Sequence, residues 1–238
     1  MPTAPGLIFD LDGTLTLSQG LHYLAYRQIF ERNGVDYTHE DDYFYAGKGS
    51  SCIFPEMFAK FGKHISEEQI RQFAEEKKAL YDEIIARTEI GLVPGVKKFL
   101  DRMKQQKKRL IIATGNKLDS AEMILEKTGL KSYFSEIVTN KDVEHSKPAP
   151  DIFLKAAEKI GFAPNECVVF EDAVNGITAA TSANINCIAL LTGEDKEKLK
   201  SAGAKFLVSS YDQITDEMLE VGQADIGLNT GSQPRQNY

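Results

Sequence analysis

The stretch GLIFDLDGTLTL, residues 6–17, runs from an apolar segment straight into two aspartates, Asp10 and Asp12, with one leucine between them and Gly13-Thr14 behind. Consecutive apolar residues before Asp10 read as a strand buried on both faces, as in a parallel sheet covered by helices. Packing gives no reason for two acids at the end of such a strand.

The same kind of run recurs as RLIIAT (109–114), EIVTN (136–140), CVVFED (167–172), NCIALL (186–191) and AKFLVSS (204–210). Helical patterns lie between these runs. Val96, Phe99, Leu100 and Met103 share one face of a helix for which Pro94 is a suitable start residue. Leu118, Ala121, Ile124 and Leu125 share another, closed by Gly129, and Ile152, Phe153, Ala156 and Ile160 a third, closed by Gly161. Strand alternating with helix predicts an α/β fold, a doubly wound parallel sheet.

Residues 18–90 break the alternation. They carry no β-type run and read as an inserted helical bundle, with Glu75, Glu76, Lys77, Lys78, Asp82 and Glu83 as its solvated face. The expected organisation is a core from residues 1–17 and 91–221, a helical insertion at 18–90 and a polar tail at 222–238. The crossings near 16–20 and 88–94, holding Gly20 and Gly91, are the expected hinges.

The chain has 238 residues, 42% hydrophobic and 26% charged, with a formal net charge of −7. This acidic balance argues against nucleic acid as a partner. No apolar run nears the ~20 residues of a membrane helix, and no signal peptide is visible. The three cysteines, Cys52, Cys167 and Cys187, form no C-x-x-C pair and suit a reducing, cytoplasmic compartment. His39, His64 and His145 show no metal-ligand spacing.

Ligands of open parallel sheets bind beyond the carboxyl ends of the strands. There the sequence places Asp10 and Asp12, then Thr114-Gly115-Asn116, then Lys147-Pro148, then Glu171-Asp172. Each alone suits a turn, a cap, a strand end or a surface. Together they are hard to explain as packing, because two like charges ~4 Å apart repel by about 4 kcal/mol at an effective dielectric near 20. Lys147 is too little positive charge for the set. A hard divalent ion with oxygen ligands, Mg²⁺, is the natural compensation, since it keeps waters and shares substrate phosphate oxygens.

The pieces DxDGT (Asp10–Thr14), an apolar run ending at Thr114, Lys147-Pro148 and the acidic pair Glu171-Asp172 stand in the order seen in the haloacid dehalogenase superfamily. The chain resembles that family over about residues 6–210. SKPAPDIFLKAA and FEDAVNGITAA are closest to its β-phosphoglucomutase-like branch. The resemblance implies a Rossmann-like core with a small α-helical cap and a phosphotransfer reaction through an aspartyl-phosphate. It implies Asp10 as nucleophile and Asp12 as acid and base, with a pKa raised by crowding. Asp10, the carbonyl of Asp12, Asp172 and Glu171 would hold Mg²⁺, Glu171 directly or through water. The backbone freed by Gly13, with Thr14, the Thr114 hydroxyl, the N–H groups of Gly115 and Asn116, and Lys147 would bind the phosphoryl group.

His22 reads first as a packing or surface histidine, and it also matches a histidine of the mutase branch near the core–cap junction that assists acid–base work or cap closure. Lys48, Ser50 and Ser51 are the expected substrate-selecting cap residues. The acid at position 12 favours phosphate esters, so the expected activity is hydrolysis of a small phosphomonoester such as a sugar or polyol phosphate. The alternatives are a sugar phosphate mutase and a non-catalytic sugar-phosphate-binding regulator. Mutases of this branch grip a second phosphate with a cap arginine; Ser50 falls about there, and Lys48 nearby is not an equivalent group. The expected partner is a small phosphorylated metabolite, on a monomer or weak homo-oligomer.

Overall fold

In the computed structural model, which describes residues 3–46 and 48–221, the strand β1 (Gly6–Phe9) is buried along its whole length. Its side chains divide between two layers. Leu7 and Phe9 join one apolar cluster, and Ile8 joins the other. The same division holds in β2 (Arg109–Thr114) and β4 (Cys167–Glu171): Leu110, Ile112, Val168 and Phe170 face one way, and Ile111, Ala113, Cys167 and Val169 the other. Continuous apolar runs result because both faces of a parallel sheet are covered. Phe9 stacks on Phe170 with ring centroids 4.5 Å apart; burying one such side chain contributes ~1.5–3 kcal/mol.

With β3 (Ile137–Thr139), β5 (Asn186–Leu190) and β6 (Phe206–Val208) the sheet has six parallel strands in the order β3-β2-β1-β4-β5-β6. Helices α5 (Val96–Gln105) and α6 (Leu118–Thr128) cover one face. Helices α7 (Asp151–Ile160), α8 (Val174–Ser182) and α9 (Lys196–Ser201) cover the other. The strand order reverses between β1 and β4, the place where open α/β sheets bind ligands. Phe9 pairs in register with Ile112 and with Phe170, so Asp10, Thr114 and Glu171-Asp172 emerge at one edge.

Two expectations need correction. Leu118 is 48% exposed while Ala121, Ile124 and Leu125 are buried; Leu118 is the first residue of α6, and the buried face of the helix begins a turn later. Helix α5 begins at Val96 behind a left-handed Gly95. Pro94 stays in the turn, and its carbonyl accepts the amide of Tyr211. Gly129 and Gly161 close α6 and α7 as the sequence suggested.

Between β1 and α5 the chain forms α1 (Gln19–Arg32), α2 (His39–Tyr45), α3 (Ser50–Lys60) and α4 (Glu67–Arg87). These helices bury their own cluster, including Tyr26, Ile29, Phe30, Tyr37, Phe54 and Met57. Capping boxes at Thr38 and Ser66 start α2 and α4. The outgoing and returning segments lie antiparallel: the Leu17 amide donates to Gly91 O at 2.9 Å and the Val93 amide to Leu15 O at 3.1 Å. Gly91 lies in this crossing, whereas Gly20, expected there, lies in the first turn of α1. The tail expected at 222–238 lies outside the described residues. Among the described residues no helix is long and apolar enough to cross a membrane.

Candidate active site

Asp10 leaves β1 with its amide bonded to Phe170 O at 3.0 Å, which pins it beside β4. Its Oδ1 accepts from Lys147 Nζ at 2.6 Å, and the same ammonium donates to Glu171 Oε1 at 2.7 Å. Lys147 is 2% exposed. Burial alone would lower its pKa, but Asp10 and Glu171 outweigh that and push it above the usual lysine value. Burial pushes Asp10 up to about 7, with Lys147 opposing the shift and Glu171 and Asp12 adding to it.

Glu171, expected to hold the metal directly or through water, has both oxygens engaged by the chain itself. Its Oε1 takes the Lys147 ammonium, and its Oε2 accepts the amides of Asp172 at 2.7 Å and Ala173 at 2.8 Å. Lysine and turn amides occupy it, so it orients Lys147. Asp172 is different. Its Oδ1 accepts from the Thr14 hydroxyl at 3.0 Å, while Oδ2 is buried without a partner. Burial, then Glu171 and Asp10, hold its pKa well above the usual carboxylate range.

Gly13 and Thr14 lie beneath the cavity rather than in it. Gly13 has φ +77°, and a Cβ there would strike the Asp172 carboxylate. Its amide donates to Thr16 O at 2.7 Å, so it is not free for a phosphoryl oxygen as expected. Its service is to let Asp172 approach the loop. Asn116 departs similarly: its amide donates to Thr114 Oγ1 at 3.2 Å and its side chain to Asp12 Oδ2 at 2.6 Å. The Thr114 hydroxyl, accepting there, still has its proton to give. Gly115 lines the cavity beside it.

Asp12 sits in a cage of donors. Ser18 and Tyr81 (3.2 Å) bond to Oδ1; Asn116, and His22 Nε2 at 3.5 Å, meet Oδ2. Burial would raise its pKa, but His22, Ser18 and Tyr81 together leave it lowered. Crowding by acids was expected to raise Asp12; burial, with neighbouring acids adding to it, raises Asp10 and Asp172 instead, and the donors around Asp12 leave it lowered.

His22 stacks on Tyr81 with centroids 4.0 Å apart, and its Nδ1 lies 2.6 Å from Lys77 Nζ. With Lys77 protonated, Nδ1 is the acceptor of that contact and Nε2–H is left for Asp12. Lys77 was expected on a solvated face, yet it is 8% exposed and lies over the rings of Tyr26 at 4.7 Å and Tyr81 at 4.4 Å. Burial drives its pKa down to about 7, with Asp12, Asp42 and Asp82 pulling the other way. Phe73, Lys77, Tyr81 and Ile85 are spaced by four, and this lysine in an apolar stripe was the overlooked signal. Ser18 and Asp42 carried no comparable signal.

A cavity of about 390 Å³ joins the sheet edge to the helices and is lined by Asp10, Asp12, His22, Lys77, Tyr81 and Thr114 among others. Lys48, Ser50 and Ser51 line its far side. Ser50 Oγ lies 2.7 Å from Tyr26 OH, and Lys48 Nζ is 3.9 Å from Glu56 and 4.5 Å from the Phe44 ring centroid. Among the described residues, no group of three or more His, Cys, Asp or Glu side chains forms a closed metal site. The unpartnered Asp172 Oδ2 next to Asp10 is an all-oxygen set that fits a hard ion completed by water and phosphate oxygens.

A sequence profile of haloacid dehalogenase-like hydrolases matches residues 5–184. The chain is 31% identical over 218 residues to a phosphorylated carbohydrates phosphatase of Thermotoga maritima, covering 90% of this chain and 98% of that protein. It is 31% identical over 184 residues to a fructose-1-phosphate phosphatase of Escherichia coli, covering 77% of this chain and 94% of the other. Its structure is similar to that of a β-phosphoglucomutase from Clostridium difficile, with TM-score 0.82 and 28% identity, covering 90% of this chain and 94% of that one.

Proposed function

Because the chain belongs to the haloacid dehalogenase-like hydrolase family, we propose that it is a phosphatase releasing inorganic phosphate from a small sugar or polyol phosphate through an aspartyl-phosphate on Asp10. One observation carries this reading: the two aspartates of one short loop sit in different surroundings. Asp10 shares a lysine and lies against Asp172; Asp12 is enclosed by neutral donors and a histidine. Two carboxyls of one loop held so differently suit two chemical roles.

Asp10 Oδ attacks phosphorus as the ester oxygen leaves, and Lys147, held by Glu171, stabilises charge on the phosphoryl oxygens. The Thr114 hydroxyl donates to the same group. Asp12 protonates the leaving oxygen, then takes a proton from the water that attacks the aspartyl-phosphate. Arrival of a substrate dianion raises the pKa of Asp12 and favours the uptake of the proton that it delivers. Mg²⁺ would be held by Asp10, Asp172 and the main-chain carbonyl of Asp12, supplying positive charge against the phosphate and the buried acids. The helices α1–α4 act as a cap that closes over the substrate and excludes water.

The mutase alternative needs a group for a second phosphate. Ser50 offers a hydroxyl already shared with Tyr26, and among the described residues no arginine lines the cavity. A phosphate-release assay with Mg²⁺ over an aryl phosphate and a panel of sugar and polyol phosphates tests the reading. Release from at least one of them is expected. Binding without turnover would support the regulatory alternative, and isomerisation of a labelled sugar phosphate without release the mutase.

A further inference from the structure

The cap side of the cavity is lined by Tyr26, Tyr37, Tyr45, Asp42, Ser50 and Ile53. Four of these bring aromatic or aliphatic surface, and Asp42 is the acid among them. Asp42 stands on α2, where its Oδ1 accepts from Tyr37 OH at 3.0 Å. Its second oxygen accepts no hydrogen bond from any described residue. A half-buried carboxylate with spare acceptor capacity, beside flat apolar rings, suits the alternating C–H faces and O–H edges of a carbohydrate.

The charges around it point the same way. Lys77 Nζ is hydrogen-bonded to His22 Nδ1 and lies between two tyrosine rings. Lys78 is bonded to Asp82 and Asp119. Lys48 lies 3.9 Å from Glu56 and covers the Phe44 and Tyr45 rings. Lys117 and Lys141 also line the cavity, but among the described residues no arginine does, so a second phosphate against α2 would meet the Asp42 acid with no guanidinium to grip it. Burial pushes the Asp42 carboxyl up, while His22 and Lys77 pull it back; a hydroxyl donated by a ligand would stabilise it.

We propose that Asp42 reads the end of the substrate remote from the phosphate, accepting a hydroxyl of a neutral sugar or polyol and turning away a second phosphate. This rests on the phosphatase reading for its reaction, though not for its binding preference. The test therefore uses binding. In an Asp10→Asn background, calorimetry with a hexose 6-phosphate, a pentitol phosphate and a hexose 1,6-bisphosphate compares Asp42 with Asp42→Asn. Asn keeps an acceptor for Tyr37, and a circular-dichroism melt confirms that the variant folds.

A charge-assisted hydrogen bond is worth about 10- to 100-fold in affinity. The expected result is that at least one monophosphate binds tighter than the bisphosphate by about tenfold or more. Asp42→Asn should weaken that monophosphate and strengthen the bisphosphate, so that the preference shrinks by about tenfold. An unchanged preference, tighter binding of the bisphosphate to the Asp42 protein, or no binding of either monophosphate overturns the proposal. Tighter binding of a hexosamine phosphate than of the hexose phosphate overturns the hydroxyl assignment in favour of an ammonium. Turnover of an aryl phosphate by the unsubstituted chain is scored separately: its absence removes the phosphatase reading while the binding ratios still judge Asp42.

Discussion

The two walls of the cavity are built on opposite principles. At the sheet edge, Asp10, Lys147, Glu171 and Asp172 are almost completely buried ionisable groups, tied to one another and to strand-end backbone. On the cap side, rings predominate, the contacts at its centre are Tyr26–Ser50 and the single bond Tyr37–Asp42, and the lysines are each engaged, Lys48 by Glu56, Lys77 by His22 and Lys78 by Asp82 and Asp119. The reacting atoms are held by strands, whose ends diverge little. The opposite wall is built of helices, which pack by side chains alone and can repack. The seam between the walls runs through Asp12, which draws Ser18, His22 and Tyr81 from the cap side and Asn116 from the core side.

The hardest way to break the comparison is at Asp10. Asp10→Asn should lower phosphate release by roughly 10⁴-fold or more, as loss of a covalent nucleophile does, while Asp12→Asn should cost about 10²- to 10⁴-fold and leave Mg²⁺ binding intact. Steady-state release and calorimetry of the metal check the pair; near-normal activity of Asp10→Asn would sink the nucleophile assignment.

Next comes the seam. Lys77→Met should reduce kcat by about tenfold or more, because His22 loses the contact that fixes its Nε2–H toward Asp12. It should also flatten the pH dependence of stability. The folded chain holds the Lys77 pKa down to about 7, so between that value and the ordinary lysine value the unfolded chain binds the extra proton. Stability therefore rises with pH through that window, by an amount on the order of a few kcal/mol. Urea titrations from pH 6 to 10 on both proteins test this, and equal slopes would refute it.

Metal tests the sheet edge alone. Asp10 and Asp172 have raised pKa values, so the stability they lend is present below the unfolded carboxyl range and is lost as pH rises toward their folded values. Mg²⁺ should replace the missing protons. At a fixed concentration equal to 100 times its dissociation constant at pH 8 it should stabilise by about 2.7 kcal/mol there, less at pH 5, where protons compete for the carboxylates, and not in Asp172→Asn. Thermal melts with and without Mg²⁺ read this directly. The smallest effect belongs to Leu118, whose exposure predicts a change within about 0.5 kcal/mol for Leu118→Ala, against roughly 3–5 kcal/mol for Phe170→Ala in the core. Comparable losses at the two positions in urea unfolding would put Leu118 back on the buried face.

The sheet and its acidic edge were legible in the residue order because a doubly covered strand announces itself by consecutive apolar residues, and parallel strands deliver the residues at their carboxyl ends to one rim. Asp10, Thr114, Lys147 and Asp172 could be named on that ground, and the structure gathers them. Helix periodicity gives only a stripe. It does not say whether a stripe meets another helix, the sheet or a ligand, which is why Lys77 read as solvated and Asp42 drew no notice. Nor does order reveal hydrogen-bond partners: Glu171 and the amides of Gly13 and Asn116 are occupied by groups that tertiary packing brings to them. By itself, then, the sequence determined the sheet, the strand-end chemistry and the place of the helical insertion, all set by local pattern. Which carboxylate is caged by donors, which is left short of them, and which acid lines the helical wall of the cavity were decided only by the tertiary structure, because desolvation and partner geometry depend on residues distant in the chain.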